Sequence, residues 1–259
     1  MKQEQFWSDL EARIAKYDLL CHAFYQAWAN GDLTHEDLRE YAAEYYHQVV
    51  GFPAYLAVFA TRLPEGELRQ AVLENFRDEM GRDAPGSHPH HAMWLDFAAG
   101  VGASVAEVRT REPIREVREL VEDFRKTART GSEAEALAAF YAYESQVPRV
   151  AREKAHGLGL HYAADEKTRA YFTLHQTADI HHAHVWKEQL ARVLDEKPEQ
   201  GDAALAAAEK TARALWRALD GIERQRRDGW SSPDRQHLVH DSYRRERIVD
   251  NDVSIEKIR

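Results

Sequence analysis

The 259-residue sequence carries 35 Lys and Arg against 44 Asp and Glu, which gives a formal net charge of -9. This acidic balance argues against a surface for nucleic acid or for an anionic membrane. The 44% of hydrophobic residues is enough for a sizeable core, and the 31% of charged residues indicates solvated helix faces rather than disorder. We therefore expect a globular protein.

Membrane spans and disulfides are not expected. The longest apolar run, residues 49–60, is interrupted by Pro53 and is about half of a membrane span. Cys21 is the only cysteine, which excludes an internal disulfide and a cysteine-based zinc site, and the N-terminal segment MKQEQFWSDL lacks a secretory apolar stretch. These features predict a cytoplasmic protein with no membrane or nucleic-acid partner.

Apolar residues recur at helical spacing nearly throughout the chain, which predicts an all-α protein. Thr34 is expected to cap the second helix with Asp37 at its third position, and Gly51 and Pro53 are expected to bend or break that helix. The second predicted helix follows Thr34 and runs through Tyr41, Tyr45 and Tyr46. The other predicted helices span residues 3–30, 65–80, 90–99, 113–130, 132–156, 165–194 and 202–227. Because each has one apolar face, we expect a single antiparallel bundle of about seven or eight helices.

The domain is expected to cover residues 1–230. Residues 231–259 follow a Ser-Ser-Pro break, mix both signs of charge and lack apolar periodicity, which predicts an extended or disordered tail. Such a tail is a mobile terminus or a strap across a dimer partner or the mouth of a site, and the sequence leaves both readings open.

Fourteen histidines are present, and several cluster in residues 87–91 and 175–184. His175, Asp179 and His182 follow the spacing i, i+4, i+7, so on a single helix they share roughly 60° of arc, whereas His181 and His184 project elsewhere. Two imidazoles and a carboxylate on one face could bind a metal, although such spacing also arises by chance on solvated faces.

Further candidate ligands lie elsewhere in the chain. Glu79 ends the third predicted helix and His90 or His91 opens the next, while Glu144 lies in the apolar segment AFYAYESQVP, where a lone carboxylate is costly. Helical bundles build dinuclear carboxylate sites from inward-facing Glu, Asp and His, and such ligands suit iron or manganese. The alternative is a set of separate surface histidines and salt-bridged carboxylates.

Several motifs occur in an order that resembles one known family. The segments YAAEYYHQVVGFPAYL, ENFRDEMG followed by HHAMW, YESQVPRVAREK and YFTLHQTADIHHA are similar to CADD, the Chlamydia protein associating with death domains, and its bacterial relatives, over about residues 15–195. That family belongs to the dimetal oxidase branch of the haem-oxygenase-like superfamily, which also includes TenA and PqqC. The resemblance implies a seven-helix haem-oxygenase-like fold, usually a homodimer, with a dinuclear iron or manganese–iron site.

Carried over residue by residue, the resemblance fills every ligand position. The implied metal ligands are Glu79, His90 (with His91 as the fallback), Glu144, His175, Asp179 and His182. Because the set is complete, PqqC is the weaker analogy. A TenA-type thiaminase is disfavoured, since its nucleophilic cysteine lies deep in the chain and Cys21 does not.

The family is implicated in oxygen-dependent synthesis of 4-aminobenzoate for folate, apparently from one of the protein's own tyrosines. The residues implied are Tyr25 in FYQAW as the sacrificed side chain, Tyr41 as an electron or proton relay, and Lys154 as a nitrogen donor or a charge. Tyr41 could equally be a core tyrosine, and Lys154 a lysine that extends along the helix surface to solvent. Molecular oxygen and an external reductant, whose donor is unidentified, complete the implied cofactors.

Neighbouring residues receive plainer interpretations. Tyr45 and Tyr46 are read as core, and Asp78 and Glu153 as solvated. Two other functions stay open: a dimetal oxidase for an external fatty acid or amino acid, and a non-catalytic interaction protein, which only the relative's association with death domains suggests.

Overall fold

In the computed structural model, residues 3–81 and 87–230 are described, and within these ranges the regular structure is helical, without strands. The all-α prediction is confirmed. The α-helices are α1 (Gln3–Ala15), α2 (Ala23–Asn30), α3 (His35–Arg62), α4 (Glu67–Glu79), α5 (His90–Gly100), α6 (Val105–Thr110), α7 (Arg115–Thr130), α8 (Glu133–Glu144), α9 (Val147–His161), α10 (Glu166–His175), α11 (Ala178–Glu196) and α12 (Gly201–Arg227). The tail predicted over 231–259 lies outside the described residues.

The expectation of seven or eight helices was wrong, because three predicted helices are interrupted and α6 was not predicted. The first interruption separates α1 from α2. There the Asp18 side chain accepts a hydrogen bond from the Leu20 N–H, and the His22 side chain accepts one from the Phe24 N–H. Side chains that bond to nearby backbone in this way compete with a continuous helix.

A second interruption ends α8 at Glu144. Pro148 is the second residue of α9, and a proline inside a helix clashes with the carbonyl four residues earlier, here that of Glu144. The third interruption lies at Gln176 and Thr177, between α10 and α11, where neither glycine nor proline occurs. The single helix predicted over 165–194 was therefore wrong.

The long helix α3 behaves differently. It continues through Gly51 and Pro53 to Arg62, so the predicted break does not occur. Its predicted start is confirmed, because Thr34 and Asp37 form a reciprocal capping box in which the Thr34 N–H donates to the Asp37 carboxylate at 2.8 Å. Proline removes one helical hydrogen bond, and packing of α3 against α4, α5 and α7 maintains the helix around it.

Helix α8 lies at the centre of the bundle. Every residue from Ala136 to Glu144 is buried, and the helix packs against α11 and α12, while α10 packs against α5 and α9. Its alanines allow close approach of these neighbours. None of the described helices has the length and apolar character needed to cross a membrane. The helices α4, α8 and α10 each end in the interior, at the buried residues Glu79, Glu144 and His175.

Candidate metal centre

The six predicted ligands are all buried, and the structure brings them together as two groups of three. Within each group, the candidate ligand atoms lie within 4.8 Å of one another. The histidine-rich half consists of Glu79, His90 and His175, and the carboxylate-rich half consists of Glu144, Asp179 and His182.

The histidine-rich half forms where α4 ends and α5 begins. Glu79 is the last residue of α4 and His90 the first of α5, and His90 Nδ1 lies 3.0 Å from Glu79 Oε2. Burial would raise the pKa of Glu79, but the adjacent His90 outweighs it and the pKa is lowered. Burial likewise opposes a charged His90, yet the Glu79 carboxylate raises its pKa. The pair is therefore a carboxylate and an imidazole that favour each other's charge.

His175 completes this half from the last position of α10. Its ring centroid is 4.6 Å from that of His90. Its Nδ1 lies 2.6 Å from the Tyr171 carbonyl, an acceptor, so Nδ1 donates and Nε2 keeps its lone pair. Burial lowers the pKa of His175, which favours the neutral ring that metal ligation requires.

The carboxylate-rich half joins the end of α8 to the first turns of α11. His182 Nδ1 lies 3.5 Å from Glu144 Oε1 and 3.4 Å from Asp179 Oδ1. Glu144 accepts hydrogen bonds from Asn75 Nδ2 at 3.3 Å and from Trp186 Nε1. Burial raises the pKa of Asp179. Burial opposes charge on His182 too, but Asp179, Asp78 and Glu144 together raise its pKa to about 12.

This donor set fits a pair of metal ions. Asp179 Oδ1 and His182 Nδ1 are buried 3.4 Å apart without a hydrogen bond among the described residues, and the buried Glu144 carboxylate lies 3.5 Å from His182 Nδ1. Such an arrangement is costly without a cation. In addition, α4, α8 and α10 each end at a candidate ligand, and the partial negative charge of a helix C-terminus favours a cation. Oxygen and imidazole donors without thiolate suit iron or manganese.

One sequence interpretation needs correction here. His90, and not the fallback His91, belongs to the histidine-rich half, and His181 and His184 are exposed, as expected. However, the argument from one helix face was wrong. The interruption at Gln176 and Thr177 separates His175 from Asp179 and His182, so the motif contributes to both halves.

Tyr25, Tyr41 and Lys154 form a second buried group, the tyrosine–lysine cluster. The two phenol oxygens are 3.1 Å apart, and Lys154 Nζ donates to Tyr25 Oη at 2.9 Å and to Tyr41 Oη. Burial lowers the pKa of Lys154 well below its ordinary value and raises the pKa of both tyrosines. Burial is the only cause of the lowered Lys154 pKa, and no carboxylate of the described residues contributes to it. The cluster therefore holds an amine whose charged form is disfavoured by burial, between two neutral phenols.

A chain of aromatic rings connects this cluster to the metal ligands. Tyr41 stacks on Tyr45 with centroids 5.5 Å apart, and Tyr45 lies 5.6 Å from Trp94. Trp94 is 4.9 Å from Tyr171, which stacks on His175 at 4.0 Å. Tyr45 is core, as predicted, but it is also part of this connection.

Two spaces border these groups. The inner cavity has a volume of about 30 Å³ and is lined mainly by aromatic side chains together with Lys154; these include Tyr25, Tyr45, Trp94, Tyr143 and Tyr171. The outer cleft has a volume of about 400 Å³ and reaches two candidate ligands, His90 and His182. The rest of its lining is Asp78, Ser87, His88, Met93, Leu174, Ala178 and His181.

The sequence interpretation missed the residues that contact the ligands from behind. Asn75 precedes Glu79 by four residues and Trp186 follows His182 by four, so helical spacing could have indicated both. Asp78 was read as solvated, which was wrong: its side chain is 20% exposed, and Oδ2 lies 3.2 Å from His182 Nε2. That contact joins α4 to α11 and has no signal in local sequence.

Comparison with known proteins identifies similar proteins that are iron-containing redox enzymes or 4-aminobenzoate synthases. The family model for iron-containing redox enzymes matches residues 39–216. The 4-aminobenzoate synthase of Nitrosomonas europaea is 35% identical over 86% of this chain and 92% of the relative. The 4-aminobenzoate synthase of Chlamydia pneumoniae is 34% identical over 82% of this chain and 92% of the relative.

Solved structures support the fold. A protein from Shewanella denitrificans with a haem-oxygenase-like fold aligns with a TM-score of 0.74 at 19% identity, covering 90% of this chain and 97% of that one. The predicted haem-oxygenase-like fold is thus confirmed. The family model covers most of the helical bundle, and two groups of residues that could hold metal ions lie inside it, so this chain belongs to the family of iron-containing redox enzymes.

Proposed function

We propose that this protein is a dimetal oxygenase that makes 4-aminobenzoate from the side chain of its own Tyr25. The observation that carries the proposal is the tyrosine–lysine cluster, a buried phenol in contact with a buried amine and connected by aromatic rings to six candidate ligands. The two similar synthases support the product. The proposed cofactors are two metal ions, Fe/Fe or Mn/Fe, with molecular oxygen and an external reductant.

In this proposal the histidine-rich half holds one metal ion and the carboxylate-rich half holds the other. When bound, such a pair supplies the activation of dioxygen. The polypeptide contributes position and charge: His175 donates through Nδ1 and keeps Nε2 available, and Asn75 and Trp186 hold the Glu144 carboxylate.

The inner cavity supports a substrate that belongs to the chain. About 30 Å³ is room for a water molecule but far below the roughly 300 Å³ or more of small-molecule sites. A free aromatic substrate would not fit beside Tyr25 and Lys154, whereas the Tyr25 ring is already present there.

The carbon count of the product also fits tyrosine. The ring of tyrosine carries one carbon, Cβ, para to its oxygen, and 4-aminobenzoate carries one carboxyl carbon para to its nitrogen. The conversion therefore breaks the Cα–Cβ bond, oxidises Cβ to the carboxyl and exchanges the phenol oxygen for an amine. One dioxygen and one ammonia equivalent balance it, giving 4-aminobenzoate, water and a chain with hydrogen in place of the hydroxybenzyl group. This net reaction consumes no reductant, so the external reductant would serve only to bring the metal ions to the state that reacts with dioxygen.

Lys154 and Tyr41 have distinct parts in this scheme. Lys154 Nζ either accepts the phenol proton of Tyr25 as that ring is oxidised, or supplies the nitrogen; in the second case its Cε–Nζ bond breaks and the oxygen of a water molecule takes the place of nitrogen on Cε. Tyr41, bonded to both groups and stacked on Tyr45, relays an electron along the aromatic chain.

Growth of cells that cannot make 4-aminobenzoate tests the proposal. We expect the wild-type protein to restore growth without added 4-aminobenzoate, and Tyr25→Phe and Glu144→Ala to fail, at matched protein levels. Rescue by Tyr25→Phe would exclude Tyr25 as the source. Failure of the wild-type protein with its metal bound would contradict 4-aminobenzoate synthesis.

The metal content tests the assignment of ligands separately from the product. Glu144→Ala should lower the bound metal from about two ions per chain to about one, because removing a ligand from a three-residue half leaves too few donors. Metal analysis of purified protein measures this. Glu153→Gln removes one negative charge, as Glu144→Ala does, but at an exposed position of α9, and this variant should bind metal like the wild type. Full metal content in Glu144→Ala would contradict the assignment.

A second candidate is oxidation of an external small molecule. The outer cleft favours it, since about 400 Å³ is within the usual range for ligand sites and the cleft reaches His90 and His182. Many turnovers on a fatty acid or amino acid in excess over protein would support this function against the first. The homodimer remains a prediction.

A further inference from the structure

We propose that Asp78 is a positioning residue for the carboxylate-rich half. Its carboxylate accepts the Nε2–H of His182 and so presents Nδ1 of that ring to the metal. The inference rests on the proposed dimetal centre but not on the identity of its product.

The geometry of His182 carries the argument. The ring is 4% exposed, and its Nε2 lies 3.2 Å from Asp78 Oδ2. Without a metal the surrounding carboxylates favour a ring protonated on both nitrogens. A metal ion bound at Nδ1 would replace the proton there, and the remaining proton at Nε2 would be held by Asp78. Nδ1 lies 3.4 Å from Asp179 Oδ1 and 3.5 Å from Glu144 Oε1, where its lone pair and two carboxylates converge.

Two further observations support a ligand at this point. His182 Nδ1 and Asp179 Oδ1 are both buried and lack a hydrogen-bond partner among the described residues. Such atoms cost free energy unless a cation lies between them. A carboxylate behind a ligating histidine is also a common arrangement in metal sites, where it fixes the tautomer and makes the ligand nitrogen more basic.

The two halves differ in how their histidines are held. In the histidine-rich half, His175 Nδ1 donates to the backbone carbonyl of Tyr171, which no side-chain substitution removes. In the carboxylate-rich half, the corresponding acceptor is the Asp78 side chain on another helix. Substitution of Asp78 should therefore weaken one half selectively.

Titration of metal-free protein with Mn²⁺, followed by electron paramagnetic resonance, tests this. We expect two Mn²⁺ ions per wild-type chain. In Asp78→Ala, one of them should bind about 10- to 100-fold more weakly, with the other unchanged within about twofold. Asp78→Asn keeps an oxygen acceptor, so its weaker site should lose less Mn²⁺ affinity than that of Asp78→Ala. Glu74→Gln removes one negative charge at an exposed position one turn earlier in α4, and its Mn²⁺ affinities should match those of the wild type.

The outcomes separate this inference from the proposed function. Two equally tight Mn²⁺ ions in Asp78→Ala would overturn the inference and leave the dimetal centre standing. Equal weakening of both ions would also overturn it, because that indicates a general structural role. A wild-type protein that binds fewer than two ions would refute the dimetal centre itself. Two Mn²⁺ sites in the wild type, with only one of them weakened in Asp78→Ala, would support the positioning role of Asp78 even if no 4-aminobenzoate formed.

Discussion

Tyr25→Phe is expected to abolish formation of 4-aminobenzoate completely while leaving bound metal and stability near those of the wild type. Phenylalanine keeps the buried ring but removes the oxygen that the proposed chemistry replaces. Tyr41 and Lys154 still bond to each other after the change, so no buried polar group is left without a partner. Quantifying the product and the metal in the same samples checks both parts.

Tyr55→Phe provides a matched control. Tyr55 is a buried tyrosine that stacks on Phe124 at 5.4 Å, and its hydroxyl has no hydrogen-bond partner among the described residues. Removing that hydroxyl should therefore leave the product unchanged. A loss of product in both variants would indicate a general effect of core substitutions rather than a specific role of Tyr25.

Isotope labelling distinguishes a consumed tyrosine from a catalytic one. In protein made with ring-labelled tyrosine, the label should appear in 4-aminobenzoate, and the yield should not exceed one molecule per chain. The intact mass of the reacted chain should fall by the hydroxybenzyl group, located at position 25 by peptide mapping. Unlabelled product, or many product molecules per chain, would contradict the self-sacrificing reaction.

The helical fold could be predicted from the sequence because burial of one helix face imposes a regular spacing of apolar residues. The start of α3 was predicted for a local reason as well, the reciprocal bonds of Thr34 and Asp37. The interruption after Glu144 had a local signal in Pro148 that the apolar pattern concealed. The interruption at Gln176 and Thr177 has no glycine or proline to signal it.

The candidate site was predictable to a different extent. Resemblance supplied six ligand types, and the structure brings all six together. Their division into halves depends on the helix ends: His175 lies before an interruption that spacing on one ideal helix could not include. Asp78 shows the limit most clearly, because its contact with His182 spans 104 residues and arises only when α4 and α11 meet.

Lys154→Met is expected to abolish the product and also to stabilise the protein at pH 7, because the folded variant no longer buries an amine whose charged form prefers water. Lys154 is 4% exposed, and burial alone lowers its pKa well below the ordinary value. Folding the wild-type chain therefore removes an amine from water without a carboxylate to compensate. Methionine fills a similar volume without that cost, and Tyr25 and Tyr41 remain hydrogen-bonded to each other at 3.1 Å.

The pH dependence of this difference has a definite sign. Unfolded lysine titrates near pH 10.4. Between the lowered folded pKa and that value, the unfolded chain holds a proton that the folded chain lacks. Wild-type stability relative to Lys154→Met therefore rises with pH, by up to about 1.4 kcal/mol per pH unit. The advantage of the variant should be largest at neutral pH and should shrink toward pH 9.5.

Urea unfolding at pH 7, 8 and 9 at equal metal content measures this, with Lys126→Met as the control. Lys126 is an exposed lysine of α7, so its replacement should change stability by less than about 0.5 kcal/mol without a pH trend. A Lys154→Met protein less stable than wild type at pH 7, or a difference independent of pH, would contradict a neutral buried amine.

The fate of the lysine nitrogen then separates the two roles of Lys154. If the amine is transferred, protein labelled with ¹⁵N at lysine Nζ should yield labelled 4-aminobenzoate, and Lys154 should leave the reaction altered in mass. If Lys154 Nζ only accepts the Tyr25 proton, the product should be unlabelled and Lys154 should persist. In both cases the Lys154 amine acts through its contact with the Tyr25 phenol oxygen at 2.9 Å. The loss of product together with a gain in stability is the combination that a purely structural lysine would not produce.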